Sequence, residues 1–454
     1  MRLWWVLAIS WLSACSSVPR DYSPVTPIED APDRWQEVEF PQAGEYSLLG
    51  MVGIPAIETW LNRVLRENPD MNRQLLQLAE AGWAVQQERA SGYPTLSLDT
   101  SVSRVRPAGD SMDTFSDHKL TLNSAWEIDI WGRLADRQQA SEWDEASLAA
   151  DLRYARRSLV ANFIKAWLEW VNGAQRLRVE QDRHETFQLN AQIVRERYRA
   201  GIGSLQDLAT AMADTEQVQA DVALQQAALD ASQRRMQALL GSMKALSGLP
   251  DQWPEIGFPQ VDLPAASLGQ RPDLHAAYQR IRAADTRSQV AYKSLLPSFT
   301  LNVDVTQTLS TSGQLLSGDP GWQLLGQLTQ PLFQGGRLRA ELHAAQDRAG
   351  QAYWEYREKL LAALLEVEAG LNQEHHLAKQ YTALLQARQH AQQSEQHIER
   401  RYRQGLTGIL DLLRAQQTTF DIEIRLLQVA VQRASNRIDL GLALGLPIKQ
   451  RVTS

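Results

Sequence analysis

The feature that most restricts the fold is a duplication. RYRAGIGSLQDL at 197–208 matches RYRQGLTGILDL at 401–412 without a gap, an offset of 204 residues. The same offset aligns Gly132-Arg133-Leu134 with Gly336-Arg337-Leu338, and Leu240-Gly241 with Leu444-Gly445. NPDM at 68–71 and PTLSL at 94–98 resemble RPDL at 271–274 and PSFTL at 297–301, at an offset of 203. Length alone suggests roughly three domains. Ordered landmarks at nearly one spacing replace that prior with one architecture written twice.

Each half passes from helix-like sequence through two strand-like stretches into very long helices. In 94–105, Leu96, Leu98, Thr100 and Val102 alternate with Ser97, Asp99, Ser101 and Ser103. In 119–130, Leu120, Leu122, Trp126, Ile128 and Ile130 share one parity against Thr121, Asn123, Glu127 and Asp129. Phe299, Leu301, Val303 and Val305 repeat the pattern against Ser298, Thr300, Asn302 and Asp304. The fourth stretch, 322–331, is weaker, interrupted by Gly326 and an off-parity Leu325. Such alternation is long enough for tilted membrane strands. It fits a half-buried soluble hairpin equally well.

No proline occurs between Pro107 and Pro250, or between Pro331 and Pro447. A helix over 133–200 would extend about 100 Å at 1.5 Å per residue. Leu148, Leu152, Ala155, Leu159, Phe163, Ala166 and Trp170 recur at spacings of three or four, a stripe that argues for helix-on-helix burial. Shorter helices at about 57–90 and 204–245 match the span of the first long helix, and 272–294 with 408–444 match the second.

The N-terminus reads as an address. Arg2, a short apolar run over 3–12 and the small residues Ser13-Ala14 precede Cys15, the single cysteine of the chain. That run is too short to span a bilayer as a helix and suits a signal peptide over 1–14. LSAC resembles the lipobox of bacterial lipoproteins, which implies cleavage before Cys15 and lipid attachment there. Ser16 in the next position implies outer-membrane sorting. An ordinary cleaved signal, with Cys15 irrelevant, is the competing reading. Residues 15–50 read as a proline-punctuated tether.

Several function classes fall away. A formal charge of -7 argues against nucleic-acid binding, and one cysteine excludes an internal disulfide framework. No GxxxxGK[ST] occurs, so nucleotide energy must come from elsewhere. There is no HExxH; His375-His376, His390 and His397 lie on polar helical sequence, and no metal site, cofactor or catalytic residue is expected. Four membrane strands cannot close a barrel, because known barrels begin at eight and an open edge in hydrocarbon is costly. Subunits would have to share one barrel, eight strands from two or twelve from three.

WGRL at 131–134, PLFQGG at 331–336, GGRL at 335–338, QRPDL at 270–274 and the two RYRxG turns, taken in order, resemble the TolC family of trimeric outer-membrane efflux factors, within it the lipid-anchored branch. The resemblance covers about 57–447. It implies a homotrimer with a twelve-stranded membrane β-barrel and an α-helical barrel through the periplasm. The implied organisation is a first repeat over 51–245, an equatorial linker over 246–269, a second repeat over 270–447 and a tail over 448–454. The implied function is passive export through the outer membrane for a periplasmic adaptor and an inner-membrane, proton-driven pump. The protein would sit lipid-anchored in the outer membrane, with connections 106–118 and 310–321 facing the exterior.

The resemblance also assigns sites. Tyr402 corresponds to a constriction tyrosine that bridges to a first-repeat carboxylate, here Asp207. Asp411 corresponds to a gate aspartate, and Arg414 stands where the family has a second acidic residue, which raises a lock between Arg414 and Asp411 or a neighbouring carboxylate. Solvent-facing helix-start aspartates are the plainer alternative. The tips at 201–206 and 405–410 are the expected adaptor contacts, with Gly201 and Gly405 beside apolar Ile202 and Leu406. Gly132-Arg133 and Gly336-Arg337 mark the strand-to-helix turns.

Overall fold

The computed structural model describes residues 32–36, 44–53, 55–106, 115–243, 253–309 and 319–449. Cys15, the signal segment and most of both strand connections lie outside the described residues. In chain order the elements are α1 (Leu48–Val52), α2 (Pro55–Glu67), α3 (Pro69–Ala90), β1 (Thr95–Val105), β2 (Phe115–Ile128), α4 (Arg133–Arg199) and α5 (Leu205–Leu240). After these come α6 (Pro264–Gly269), α7 (Pro272–Lys293), β3 (Ser298–Leu309), β4 (Gly321–Thr329), α8 (Arg337–Arg403) and α9 (Ile409–Ala443). The duplication is visible in lengths: α4 and α8 each have 67 residues, and α5 and α9 have 36 and 35.

One expected helix is divided. The stretch 57–90 breaks at Asn68, because Pro69 has no N–H to continue the ladder. The Asn68 side chain occupies the break: its Oδ1 accepts from Met71 N at 3.0 Å, and its Nδ2 donates to the Leu239 carbonyl at 3.0 Å. The second copy of the motif likewise starts a helix, with Pro272 at the first position of α7.

The chain divides into two compact units. One contains Leu76–Ala150 and His275–Lys359; the other contains Pro27–Leu75, Asp151–Leu274 and Leu360–Ser454.

In the first unit all four strands form one antiparallel sheet in the order β1-β2-β3-β4. The register puts Leu98, Leu122, Val305 and Trp322 in one cross-strand row. The adjacent row is Ser97, Asn123, Asp304 and Gln323. Since successive side chains alternate faces, one face is largely apolar and the other largely polar. Asn123 Nδ2 donates to Asp304 Oδ1 at 2.5 Å, joining the strand pairs of the two repeats on the polar face. On the apolar face Trp322 is 77% exposed and Leu98 67%. Beside the sheet, Ala140, Ala150, Ala277, Ala283, Ala345 and Ala349 are buried where helices approach closely, and Arg282 lies 3.6 Å over the Trp143 ring.

The core of the second unit is carried by the middle of α4. Val160, Phe163, Ile164, Trp167, Leu168, Trp170 and Val171 pack with Leu61, Val64, Met236, Leu240 and Ile438. Each such side chain stabilises the fold by about 1.5–3 kcal/mol relative to exposure. Residues read from sequence as tether also join this unit. Leu48 lies in its core, and Trp35 is buried against Val367, Leu371 and Leu444. Trp35 Nε1 donates to the Asp262 carbonyl at 2.8 Å, and Glu45 N donates to the Phe258 carbonyl at 2.8 Å. A stretch with no helical or strand period can still be held by isolated anchors of this kind.

Candidate functional site: the helix-hairpin tips

The tips of the two hairpins are built by the same local chemistry. Both long helices end at a left-handed glycine, Gly201 with φ 77° and Gly405 with φ 73°. The following amides close the last turn: Ile202 N donates to the Arg197 carbonyl at 3.0 Å, and Leu406 N to the Arg401 carbonyl at 2.9 Å. That pattern satisfies carbonyls a helix end would otherwise leave open. It projects Ile202 and Leu406 outward, 70% and 63% exposed.

The returning helices start differently. Ser204 caps α5, its Oγ accepting from Asp207 N at 3.0 Å. At α9 the capping residue is Gly408, without a side chain, and the contact there runs between side chains instead, Thr407 donating from Oγ1 to Asp411 Oδ2 at 2.6 Å. This hydrogen bond holds the Asp411 carboxyl below its usual range, with the Gly408 backbone and the charges of Arg414 and Arg401 acting in the same direction.

The two tips also touch. Ile409, Leu412 and Leu413 of α9 are buried with Ala191 and Val194 of α4 and Ala211 of α5, and Tyr402 packs at the edge of this cluster. Asn190 Nδ2 donates to Gln416 Oε1 at 2.7 Å across the same contact.

The polar partners at the tip depart from the expected ones. Tyr402 does not bond to Asp207; its hydroxyl accepts from Arg197 Nη1 at 3.2 Å, and the guanidinium lies 5.8 Å from the ring centroid. Arg414 does not lock to Asp411 either, since no ion pair within 4.0 Å joins them among the described residues, and Thr407 takes the carboxylate instead. The reason is geometric. Arg197 is in the last turn of α4 and faces Tyr402 in the last turn of α8, whereas Asp207 and Asp411 sit in the first turns of the returning helices. Both partners stand in the two RYRxG segments, but a motif does not reveal which copy pairs with which.

A buried guanidinium that the sequence did not single out lies deeper in the bundle. Arg183 of α4 approaches Glu180 Oε2 at 3.4 Å, Asp221 Oδ2 of α5 at 3.9 Å and Asp421 Oδ1 of α9 at 3.9 Å. Its side chain is only 9% exposed. Burial pushes the Glu180 carboxyl above its usual range, opposed by Arg183. Heptad spacing of Asp207, Asp214 and Asp221 along α5 was the available signal, but it named no partner.

The strand-to-helix turns are the third set of marked residues. Gly132 and Gly336 both take positive φ, 72° and 86°. Arg133 Nη2 donates to both Glu127 oxygens, at 2.7 and 2.8 Å. Arg337 has no such partner because the repeat-equivalent position is Pro331, and it pairs with Glu341 at 2.6 Å within its own helix. These turns position strands on helices and carry no chemistry of their own. Among the described residues no group of three or more His, Cys, Asp or Glu is arranged to hold a metal ion.

Comparison with known proteins places this architecture. The cation efflux system protein CusC of Escherichia coli O6:H1 is 25% identical over 96% of both chains. The pyoverdine export outer membrane protein OpmQ of Pseudomonas putida is 28% identical over 81% of this chain and 82% of its own. The solved structure of the open state of the Neisseria gonorrhoeae MtrE outer membrane channel superposes with a TM-score of 0.84 at 22% identity, covering 97% of this chain and all of that one. The model of the outer membrane efflux protein family matches residues 60–242 and 263–446, both repeats nearly end to end, and the chain belongs to that family.

Proposed function

We propose that the protein is the outer-membrane channel of a tripartite efflux system. It would conduct substrate passively from an inner-membrane pump and a periplasmic adaptor to the cell exterior. The observation that carries this reading is the sheet. It has four strands of 11, 14, 12 and 9 residues, an exposed apolar face, a polar opposite face, and two edges with no partner among the described residues. Hydrocarbon does not tolerate open edges, so copies of the chain complete the barrel. Three copies give twelve strands around a polar lumen. Cys15 would carry the lipid anchor, and the proton-driven pump would supply the energy for export.

The exposed Ile202 and Leu406 then serve as adaptor contacts, and the Arg197–Tyr402 bond holds the tips closed at rest. Relatives named for cation efflux and for pyoverdine export match this chain over most of its length. Choice of substrate therefore belongs to the partner pump. The test is to purify the full chain in mild detergent, measure its mass by native mass spectrometry and reconstitute it in a planar bilayer. A trimer with discrete conductance steps is expected. A stable monomer, or a trimer that conducts nothing even with opened tips, would overturn the reading.

A further inference from the structure

Away from the tips and the sheet, segment 253–256 faces α8 and α9 across an open cleft of about 420 Å³. That size lies within the roughly 300–1,000 Å³ range of small-ligand sites. The walls are aromatic and basic, from Trp253, Tyr381, Arg433 and Arg437, with the exposed Glu255 at the rim.

One buried carboxylate serves both arginines. Glu374 Oε1 accepts from Arg433 Nε at 2.9 Å and from Arg437 Nε and Nη2 at 2.9 and 2.8 Å. Arg437 also donates from Nη1 to the Ile256 carbonyl at 2.5 Å, so each of its three nitrogens already has a partner within the protein. Arg433 is different. Its two Nη groups have no partner among the described residues, and its guanidinium sits 5.8 Å from the centroid of the Tyr381 ring. The Tyr381 hydroxyl and the Trp253 indole N–H are likewise without a described partner. The two guanidinium groups share one buried carboxylate, the other negative group being Glu255 at the exposed rim, and the free fork of Arg433 lines the cleft.

A planar fork of donors suits a carboxylate, which it can hold through two parallel hydrogen bonds. Flanking aromatic rings suit a ring-shaped body, and their polar tips offer two further donors. Glu255 at the rim opposes a second negative charge. We infer that this cleft binds a monocarboxylate carried on a ring, its carboxylate on the free side of Arg433 and its ring between Trp253 and Tyr381. Two sources have that chemistry: a small aromatic acid, and a carboxylate-bearing sugar of a cell-wall glycan. The assignment rests on the cleft alone and does not depend on the channel reading.

The full-length protein in mild detergent should be titrated calorimetrically with phenylacetate and with N-acetylmuramic acid. Phenylacetamide and N-acetylglucosamine serve as their uncharged counterparts. At least one acid should bind with a Kd below about 1 mM, and its counterpart about tenfold or more weaker. Tighter binding of phenylacetate identifies the aromatic-acid source, and tighter binding of N-acetylmuramic acid the glycan source; either supports the site. Arg433→Lys keeps the charge but loses the fork, and should weaken the acid about tenfold. Tyr381→Ala leaves the Arg433–Glu374–Arg437 contacts in place and should weaken it as well, with unchanged melting temperature. If neither acid binds better than its counterpart, or if folded Arg433→Lys binds like wild type, the site is not there.

Discussion

The guanidinium of Arg197 and the hydroxyl of Tyr402 meet at 3.2 Å, an arginine from the first repeat donating to a tyrosine from the second. The last turn of α4 is thereby tied to the last turn of α8, beside the apolar cluster that joins the tips. Such a bond contributes about 0.5–1.5 kcal/mol, and threefold repetition in a trimer would multiply it. Solvent at the exposed arginine reduces that contribution. In the proposed trimer that sum would favour a closed tip while leaving it within reach of a docking partner's binding energy.

Y402F keeps the ring and removes the acceptor, and R197A removes the donor. Either should raise resting conductance and sensitise cells to large antibiotics, and the double variant should do little more than the stronger single, because both remove one bond. R414A alone should have a smaller effect, since Arg414 makes no ion pair among the described residues. Unchanged conductance and antibiotic sensitivity in Y402F/R197A, with normal assembly, would remove this pair from the gate.

The lowered pKa of Asp411 sets a direction for pH dependence. A carboxyl held below its unfolded value stabilises the local structure while ionised. That contribution is present above the unfolded pKa and is lost as pH falls through the folded one. T407V removes the principal cause, so Asp411 should protonate on acidification from a higher pH than in wild type, and with it any attraction of cations that its charge supplies in the proposed channel. D411N should abolish that part of the titration. Single-channel reversal potentials in a salt gradient, measured across acidic pH, distinguish these outcomes.

Arg183 should be intolerant of substitution. R183M leaves Glu180, Asp221 and Asp421 without their shared cation, and breaking a buried pair in this way costs about 3–5 kcal/mol. Adding E180Q should recover part of the loss. Because burial raises the Glu180 pKa, ionising it opposes folding. The penalty is absent at pH below the unfolded value and grows as pH rises through the folded one. E180Q alone should therefore flatten the fall in stability across that window, read as melting temperature against pH.

The cross-strand rows make a prediction about the sheet. Lysine at Val305, in the row with Leu98, Leu122 and Trp322, would face lipid in the proposed barrel. It should cost about 2–4 kcal/mol near the bilayer midplane and reduce heat-resistant trimer on gels. Lysine at Thr121 or Asn302, on the polar face, should assemble normally and alter only conductance. Equal assembly of both classes would mean that the apolar face does not meet lipid.

Periodicity and repetition, both local properties, were enough for much of this molecule. The duplication, the unbroken helical stretches and the alternating strands are written in spacings of two, three and four residues. The structure follows them to within a few residues at most ends. The tip glycines were legible for the same reason: ending a helix in the left-handed region is a demand on one residue. The N-terminal anchors had no period to betray them, because Trp35 and Leu48 are held by residues more than two hundred positions away. The tip contacts are a similar case. The two RYRxG segments announce two identical helix ends, yet the pairing of Arg197 with Tyr402 depends on how those ends approach each other. A hydrogen bond requires heavy atoms within a few tenths of an ångström of about 3 Å, and backbone periodicity carries no information at that scale. Local sequence determined which helices and strands form and where they end. Packing of the two repeats against each other decided which charges and hydroxyls meet.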